Sequence, residues 1–285
     1  MSRVAFVNGK YCEFKKSKVH IEDRGYQFAD GVYEVFTVFD NNLVDYNAHL
    51  QRLFRSLSEL SIKTPIAKKA YLFHIQKIIK LNLINNGLVY LQVTRGVASR
   101  DFKYSDSIKS SIIITGKIIS DDTFNHSVFN GINVTTTKDL RWKRCDIKSL
   151  NLLPAVLAKQ VAFNNGSKEA WLVGDDGFIT EGSSSNAWIL DKNNILRTAP
   201  KNTNILGGIT RESLIRGLKT HGIKFKESKF NLIDIKNAKE AFITSATTFV
   251  TPVIKVNNIK IGNGKPGKFA LVFLDIYKKS AIFSK

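Results

Sequence analysis

The stretch RWKRCDIKSLNLLPAVLAKQVA, residues 141–162, decides the fold of this chain, and Lys148 is its central residue. After Lys148, apolar residues recur at intervals of three and four: Leu150, Leu153, Leu157 and Val161. This spacing predicts a helix that buries one apolar face, and Pro154 stands near its start, where a missing backbone donor costs little. A lysine held against such a face is poorly solvated, so its amine becomes available as a nucleophile or base. By position alone, a solvated surface lysine is the commoner arrangement.

The composition indicates a globular protein of one or two domains. The chain has 285 residues, of which 43% are hydrophobic and 24% charged. No apolar run in the sequence is long enough to span a bilayer, and the start MSRVAFVNGKY does not read as a targeting segment. Two cysteines, Cys12 and Cys145, form no disulfide framework and favour a reducing, cytoplasmic location.

The formal net charge of +19 raises a second hypothesis, a basic nucleic-acid-binding protein. The excess of lysine and arginine is spread over both halves of the chain, without a basic arm or tail. No zinc-ligand spacing and no aromatic-basic RNA-binding pattern accompanies it. We therefore interpret the charge as a generally basic surface and expect neither a nucleic-acid nor a membrane partner.

The order of predicted elements indicates an α+β protein with two domains. Residues 1–121 read as a small N-terminal domain, which begins with a hairpin around Asn8-Gly9 and contains two amphipathic helices. The polar run Ser120–His126 is the candidate linker. Residues 122–285 read as a larger domain in which strands and helices intermix without the GxGxxG turn of a dinucleotide-binding fold.

Several residues outside the central stretch have side chains or amides suited to an anionic cofactor. The turn Leu206-Gly207-Gly208-Ile209-Thr210 opens a helix, and a helix start presents unpaired amides to an anion. The loop 244–248 is rich in serine and threonine. His49 and Arg52 share a helix face, and an arginine fork suits phosphate, although a surface cation is the ordinary alternative. Glu181 precedes three serines, where an exposed turn carboxylate is the default interpretation.

These segments, in their order along the chain, resemble the pyridoxal-phosphate aminotransferases of fold type IV, the D-amino-acid and branched-chain group. The matching motifs are FVNG, DRGYQFADGVYEV, HLQRL, QVTRG, IKSLNLLPAVLAKQ, EGSSSN, GITRE and TPVI. Of these, DRGYQFADGVYEV is most similar to the D-amino-acid aminotransferases. The resemblance covers nearly the whole chain and implies a two-domain fold type IV enzyme with its cofactor cleft between a small N-terminal and a larger C-terminal domain.

The resemblance also implies roles for individual residues. Lys148 would form the internal aldimine with pyridoxal 5′-phosphate and then move the substrate proton. The other implied cofactor-binding residues are Glu181 at the pyridine nitrogen, Leu206 against the ring, and Arg52, Ile209, Thr210 and Ala246 around the phosphate. The implied substrate-binding residues are Tyr33, Arg100 and Ser185, and no metal is implied.

The reaction that the resemblance implies is transamination of D-amino acids, with D-alanine and 2-oxoglutarate giving pyruvate and D-glutamate. It further implies a homodimer with shared active sites, in which Arg100 reaches the partner's site. Two departures stand out: Phe102 replaces the usual histidine after Arg100, and Ala246 stands where threonine is frequent. Phenylalanine donates no hydrogen bond to a carboxylate, so we expect weaker binding of small D-amino acids. The alternatives are a branched-chain L-amino-acid aminotransferase, an aminodeoxychorismate lyase, and a basic binding protein with an inactive site.

Overall fold

The computed structural model describes residues 3–120 and 127–284 of the chain. It divides into two compact units: the first comprises Met1–Ser120, Ile147–Asn151 and Ile282–Lys285, and the second comprises Asp121–Asp146 and Leu152–Ala281. Both units mix helices and strands, which confirms the prediction of a two-domain α+β fold. The predicted linker, apart from Ser120, lies outside the described residues.

The first unit contains an antiparallel sheet. Its strands are β1 (Val4–Val7), β2 (Lys10–Glu13), β3 (Gly31–Phe39), β4 (Asn42–Val44), β5 (Gly87–Thr94), β6 (Ser111–Ile118) and β16 (Phe283–Ser284). Within the described residues they form a seven-stranded sheet in the order β16-β4-β3-β5-β6-β1-β2. The hairpin β1–β2 turns at Asn8-Gly9, as predicted, because both residues have positive φ, the conformation that a tight hairpin turn requires.

The helices of the first unit pack on this sheet through apolar stripes. They are α1 (Arg24–Phe28), α2 (Tyr46–Glu59) and α3 (Lys68–Leu81), together with a 3₁₀ turn at Phe14–Lys16. Helices α2 and α3 are the two amphipathic helices predicted for the N-terminal domain. Leu53 and Leu57 of α2 and Ile75 and Ile78 of α3 are buried in one core with the inward residues of β3, β5 and β6.

The segment that carries Lys148 is attached to β3 of the first unit, whereas the sequence placed it in the second domain. The amide of Tyr33 donates to the Lys148 carbonyl at 3.0 Å, and the amide of Leu150 donates to the Gly31 carbonyl at 3.0 Å. Ile147 joins the core of this unit. A Cβ on Gly31 would lie 2.6 Å from the Val93 carbonyl oxygen and 2.8 Å from Leu150 Cδ1, so the close packing at this position requires glycine. Lys148 is thereby fixed beside β3.

The second unit contains a mixed sheet. Its strands are β7 (Ile132–Lys138), β8 (Glu169–Val173), β9 (Ile179–Gly182), β10 (Asn186–Leu190), β11 (Leu196–Thr198), β12 (Phe225–Glu227), β13 (Glu240–Ser245), β14 (Phe249–Val256) and β15 (Ile259–Lys260). In the described part of the chain these nine strands run in the order β12-β11-β10-β13-β14-β7-β8-β9, with β15 beside β14. β7 pairs in parallel with both β14 and β8.

Helices flank the second sheet, and one of them contradicts a prediction. They are α4 (Leu153–Asn164), α5 (Ile209–Thr220), α6 (Leu232–Lys236) and α7 (Lys268–Ser280). The predicted buried leucine face of α4 is wrong for this chain: Leu153 is 66% and Leu157 53% exposed. The helix instead packs through Ala158 and Ala162, whose small side chains allow close contact with β8. Helix α7 was not predicted, although its apolar residues recur at helical spacing: Ala270, Phe273, Leu274 and Tyr277.

Among the helices of the described residues, none is long and apolar enough to span a membrane.

Candidate active site

Strand β3 and helix α2 bring three polar side chains of the first unit together, those of Glu34, His49 and Arg52. Successive side chains of a strand point to opposite faces of the sheet. In β3, Glu34 therefore points inward between apolar neighbours, and Tyr33 points to the other face. His49 and Arg52, three residues apart on α2, both reach Glu34. The predicted shared face of His49 and Arg52 therefore meets a carboxylate.

Glu34 is fully buried and accepts hydrogen bonds from both α2 residues. Arg52 donates from Nε at 2.7 Å and from Nη2 at 2.8 Å, and His49 Nδ1 lies 2.8 Å from Glu34 Oε2. Burial alone raises the pKa of the Glu34 carboxyl, but the charge and hydrogen bonds of Arg52, and then of His49, hold that pKa well below its usual range. Arg52 is thus a largely buried, oriented cation and not the surface cation of the alternative interpretation.

Lys148 lies beside this cluster. Its Nζ is 4.2 Å from the ring centroid of Tyr33, a cation–π distance, and its amide donates to Ser56 Oγ of α2 at 3.3 Å. Burial lowers the pKa of His49, and the nearby charges of Arg52 and Lys148 lower it further against the opposing effect of Glu34. The first unit therefore brings together Tyr33, Lys148 and Arg52, three of the residues implied by the resemblance.

Arg100, the implied carboxylate-binding residue, lies on the exposed loop between β5 and β6. Its Cζ is 4.7 Å from the ring centroid of Phe28. The Phe28 ring also contacts Phe102, with 5.7 Å between the ring centroids. Phe102, which replaces the usual histidine, is 86% exposed. Arg100 is thus presented on an aromatic support and available to an incoming carboxylate.

In the second unit, Glu181 lies in β9 and is held by Arg141. Arg141 Nη1 donates to Glu181 Oε1, while its Nε and Nη2 donate to Asp139 at 2.9 Å and 2.8 Å. Asp139 also accepts from Thr180 Oγ1 at 2.7 Å. Burial raises the pKa of Asp139, but the hydrogen bonds and charge of Arg141 outweigh it and lower that pKa. One arginine therefore serves two carboxylates, and the trio keeps a net negative charge.

Two further donors fix the Glu181 carboxylate. Asn186 Nδ2 donates to Oε2 at 2.8 Å, and the amide of Leu206 donates to Oε1 at 3.0 Å. Burial raises the pKa of Glu181, and the charge and hydrogen bonds of Arg141 and the Leu206 amide oppose that rise. A cationic N–H group placed against a buried carboxylate stabilises its ionised form.

The glycine-rich turn precedes α5 with no side-chain cap at Gly208, so the first amides of this helix have no capping side chain of their own. Ile209 and Thr210 are its first two residues. A Cβ on Gly208 would overlap Asn186 Oδ1, so the backbone passes too close to Asn186 for any side chain. Such a helix start is suited to a phosphate group.

The remaining two implied residues lie in polar turns of the second unit. Ala246 is in the turn between β13 and β14, where Ser245 Oγ accepts from the Thr248 amide at 3.1 Å. Ser185 is buried and donates from Oγ to Glu169 Oε2 at 3.0 Å. Ser184 also donates to this carboxylate, at 2.9 Å, so the serine run is ordered around a buried acid.

The sequence missed the acids and amides that hold these residues. Glu34 had a usable signal: it is a charged residue at an inward position of an alternating strand, between Val32 and Phe36. No comparable signal marked Arg141 and Asn186, because their contacts with Glu181 arise only in the folded chain. Asp139 is joined to Glu181 through Arg141.

A match to a known family decides the class of this enzyme. The model of the family described as amino-transferase class IV matches residues 31–256, most of the chain. The chain is a class IV aminotransferase. This confirms the resemblance seen in the sequence, and with it the assignment of the protein as a pyridoxal-phosphate-dependent enzyme.

Individual relatives agree with this class IV aminotransferase over nearly their whole length. A D-alanine aminotransferase of Staphylococcus haemolyticus is 38% identical over 92% of this chain and 92% of its own. One from Listeria monocytogenes is 39% identical over 92% and 90%.

Solved structures of branched-chain amino acid aminotransferases share the fold of this class IV aminotransferase. One with pyridoxamine 5′-phosphate, from the organism abbreviated T.th., has a TM-score of 0.91 at 20% identity and covers 98% of this chain and 94% of that one. That of Escherichia coli has a TM-score of 0.89 at 20% identity, covering 96% and 92%. These structures establish the fold type.

The donor set of this class IV aminotransferase fits pyridoxal phosphate. The buried Glu181 carboxylate suits a protonated ring nitrogen, Lys148 supplies the amine for the aldehyde carbon, and Arg52 and the uncapped start of α5 suit a phosphate dianion. The close approach of the chain at Gly208 leaves the helix amides unobstructed by a side chain.

Proposed function

We propose that this class IV aminotransferase transaminates D-amino acids, with D-alanine and 2-oxoglutarate converted to pyruvate and D-glutamate. The observation that carries the proposal is the agreement with D-alanine aminotransferases at 37–39% identity over at least nine-tenths of each chain. The branched-chain enzymes are similar in fold at 20% identity, so they do not bear on the substrate.

The residues proposed to hold the cofactor are Arg52, Lys148, Glu181, Leu206, Ile209, Thr210 and Ala246. Pyridoxal phosphate, when bound, carries the amino group between substrates and takes up the electron pair released at Cα. Glu181, fixed by Arg141 and Asn186, would keep a proton on the ring nitrogen. The Lys148 amine would move the substrate proton from Cα to C4′ of the cofactor. Its backbone attachment to β3 would aim that amine.

The substrate carboxylate would be bound by Arg100 and Tyr33, with Ser185 as a further polar contact. Arg100 offers a planar fork that matches a carboxylate, and its Phe28 support keeps the guanidinium oriented. Tyr33 lies between Lys148 and Tyr90, at 5.7 Å from the Tyr90 ring centroid, so its ring is held beside the amine.

We further propose that the enzyme is a homodimer in which Arg100 contributes to the partner's site. The exposed apolar face of α4 supports this, because a helix rarely leaves so many large side chains in water without a partner: Leu153, Val156, Leu157 and Phe163. Both cysteines are free thiols, which supports a reducing compartment such as the cytoplasm.

The deciding experiment compares amino donors on the cofactor-loaded enzyme. D-alanine, L-alanine and L-leucine are each offered with 2-oxoglutarate, and the oxo acid and the chirality of the glutamate are measured. We expect pyruvate and D-glutamate from D-alanine, with the L-amino acids used far less. Preference for L-leucine would favour a branched-chain aminotransferase. Release of pyruvate from aminodeoxychorismate without an amino acceptor would favour a lyase, and no turnover of any donor would favour a binding protein.

A further inference from the structure

The loop that carries Arg100 depends on neighbouring side chains for its conformation. Residues 95–110 join β5 to β6 and are mostly exposed, and their regular structure is limited, within the described chain, to a bridge of Val97 with Asp23. An exposed segment of this length is mobile unless other groups hold it. Backbone hydrogen bonds hold the start of the segment, and Lys63 Nζ donates to the Asp106 carbonyl at 2.8 Å. The part next to Arg100 is held by two arginines and a tyrosine: Arg24, Arg95 and Tyr104.

Arg24 of α1 is buried, although an arginine is rarely buried without paired groups. Its Nη1 donates to the carbonyl of Asp101 at 2.6 Å and to that of Lys103 at 3.4 Å. Its Nε donates at 2.9 Å to Asp30, which supplies a counter-charge. Asp101 and Lys103 flank Phe102, so Arg24 holds the backbone immediately after Arg100.

A second arginine holds the same loop through an aromatic ring. Arg95 Cζ lies 3.6 Å from the ring centroid of Tyr104, and Arg24 Cζ lies 5.7 Å from it. Arg95 also donates to Asp30 at 2.8 Å and to the carbonyl of Leu60 at 2.7 Å. Asp30 therefore pairs with both arginines, and Tyr104 packs against both.

Arg24 also shares its aromatic neighbour with Arg100. Arg24 Cζ is 4.7 Å from the Phe28 ring centroid, the same distance as Arg100 Cζ. The Arg100 guanidinium is thus located both by the loop backbone, through Asp101 and Lys103, and by the Phe28 ring. Arg24 contacts both of these supports, the loop carbonyls and the Phe28 ring.

We propose that Arg24 is a positioning residue for the substrate carboxylate, acting through the Asp101 and Lys103 carbonyls and Phe28 to preorganise Arg100. The inference rests on the proposed function, in which Arg100 binds that carboxylate. A preorganised arginine loses less conformational freedom when a carboxylate binds, so the support increases affinity without touching substrate. Arg24 is the arginine of the DRGYQF motif, so positioning of Arg100 would be the role of this arginine in the motif.

The test compares Arg24→Met with Arg3→Met. Arg3 is a matched control: it also donates from Nε and Nη2 to one backbone carbonyl, that of Gly116, at 3.1 Å and 2.7 Å, and its Cζ lies 3.9 Å from the Phe14 ring centroid. In Arg24→Met we expect KM for D-alanine and the inhibition constant of propionate to rise about tenfold, the factor for one charge-assisted hydrogen bond. The inhibition constant of ethylamine, which has no carboxylate, and kcat should change little. Arg3→Met should leave all four constants as they are.

The path through Arg100 is tested in an Arg100→Met background. If Arg24 acts through Arg100, adding Arg24→Met there leaves the propionate constant unchanged. Hydrogen exchange of residues 99–104 in the cofactor-free protein should be faster in Arg24→Met than in Arg3→Met. A propionate constant that stays the same in Arg24→Met, or that rises further in the double variant, overturns the inference.

Two milder variants cover the case in which Arg24→Met does not fold. Arg24→Lys keeps the charge beside Asp30 but lacks the fork that reaches both carbonyls, and Tyr104→Leu loosens the loop without altering a buried charge. Each should raise the propionate constant by a smaller factor, and no change in either overturns the inference. Propionate has no chiral centre, so preference for L-amino acids would overturn the proposed function while the propionate result still decides the role of Arg24.

Discussion

Lys148 is positioned by its backbone. Its carbonyl and amide are bound to Tyr33 and Ser56, so the amine projects from a fixed attachment on β3. Such an attachment lets a flexible side chain move a proton between two defined atoms, which is what a transaminase requires of its lysine.

We predict that Lys148→Ala lowers turnover by at least about a thousandfold, because it removes both the amine and the proton-transfer group. The measurement is the rate of 2-oxo acid formation in saturating cofactor. Lys143→Ala, an exposed lysine of the same stretch, is the control and should retain the rate. Comparable rates in the two variants would mean that another amine performs the transfer.

Glu181→Gln should lower the rate by about a hundredfold, because glutamine keeps the size of the side chain but supplies no negative charge to the ring nitrogen. The nitrogen chemical shift of ¹⁵N-labelled cofactor reports its protonation directly and should change in this variant. Glu227→Gln is the control: Glu227 also pairs with an arginine, Arg211, but on β12. An unchanged ¹⁵N shift in Glu181→Gln would place the ring nitrogen elsewhere.

The Glu34–Arg52 pair gives a prediction for acid stability. The pKa of Glu34 is lowered in the folded protein, so its stabilising contribution is present above the pKa of an unfolded glutamate, about 4.3, and is lost as the pH falls through the lower folded-state pKa. Glu34→Gln should reduce the free energy of unfolding at pH 7 by about 3 kcal/mol, because it removes the fully buried carboxylate charge of an ion pair.

Urea unfolding at pH 7 and pH 3 measures this effect. The loss of stability between the two pH values should be smaller in Glu34→Gln than in the parent protein. Glu59→Gln on the same helix is the control, since Glu59 and Arg55 form an exposed pair worth little. Equal effects of the two substitutions at pH 7 would show that the buried pair is not stabilising.

At the scale of elements, the start of α5 depends on one glycine. Gly208→Ala would place a methyl group against Asn186 and displace it from Glu181, whereas Gly207→Ala meets only the flexible end of Lys201, at 2.9 Å. We predict that Gly208→Ala weakens cofactor binding about tenfold, as expected for one lost hydrogen bond, and that Gly207→Ala has a smaller effect. Titration of the cofactor-free protein with pyridoxal phosphate measures both, and equal dissociation constants would contradict the steric argument.

Helix α4 carries an exposed apolar face, and we propose that two copies of this chain pair through it. Its exposed side chains form one stripe, since they follow one another at helical spacing, and its alanines fill the opposite side. The spacing that predicted a buried face was correct about the helix, and in the dimer the second copy would provide the burial.

For the whole molecule we predict a dimer that Leu157→Lys disrupts, because a charge in the centre of an apolar interface is desolvated without a partner. Sedimentation at several protein concentrations should show a dimer for the parent chain and a monomer for the variant. Phe73→Lys, on α3, changes a similarly exposed apolar residue and should leave the dimer intact. A monomeric parent chain would contradict the proposal.

The sequence alone determined the family of this protein and most of the elements discussed above. Local signals suffice for these: turn residues at Asn8-Gly9, helical spacing of apolar residues in α2 and α3, a glycine-rich turn before α5, and motifs that stand in family order. The family match, and with it the cofactor, needed no coordinates because both depend on the identity and order of residues along the chain.

Only the tertiary structure decided how the site residues are held. Glu34 pairs with Arg52 across a strand and a helix, Arg141 links Asp139 to Glu181, and Arg24 reaches the backbone beyond Arg100. These contacts join residues far apart in sequence, and a charged side chain has the same local pattern whether it is solvated or buried against an opposite charge. Lys148 belongs to the first unit because its segment forms hydrogen bonds to β3. No pattern of residues along the chain predicts these bonds.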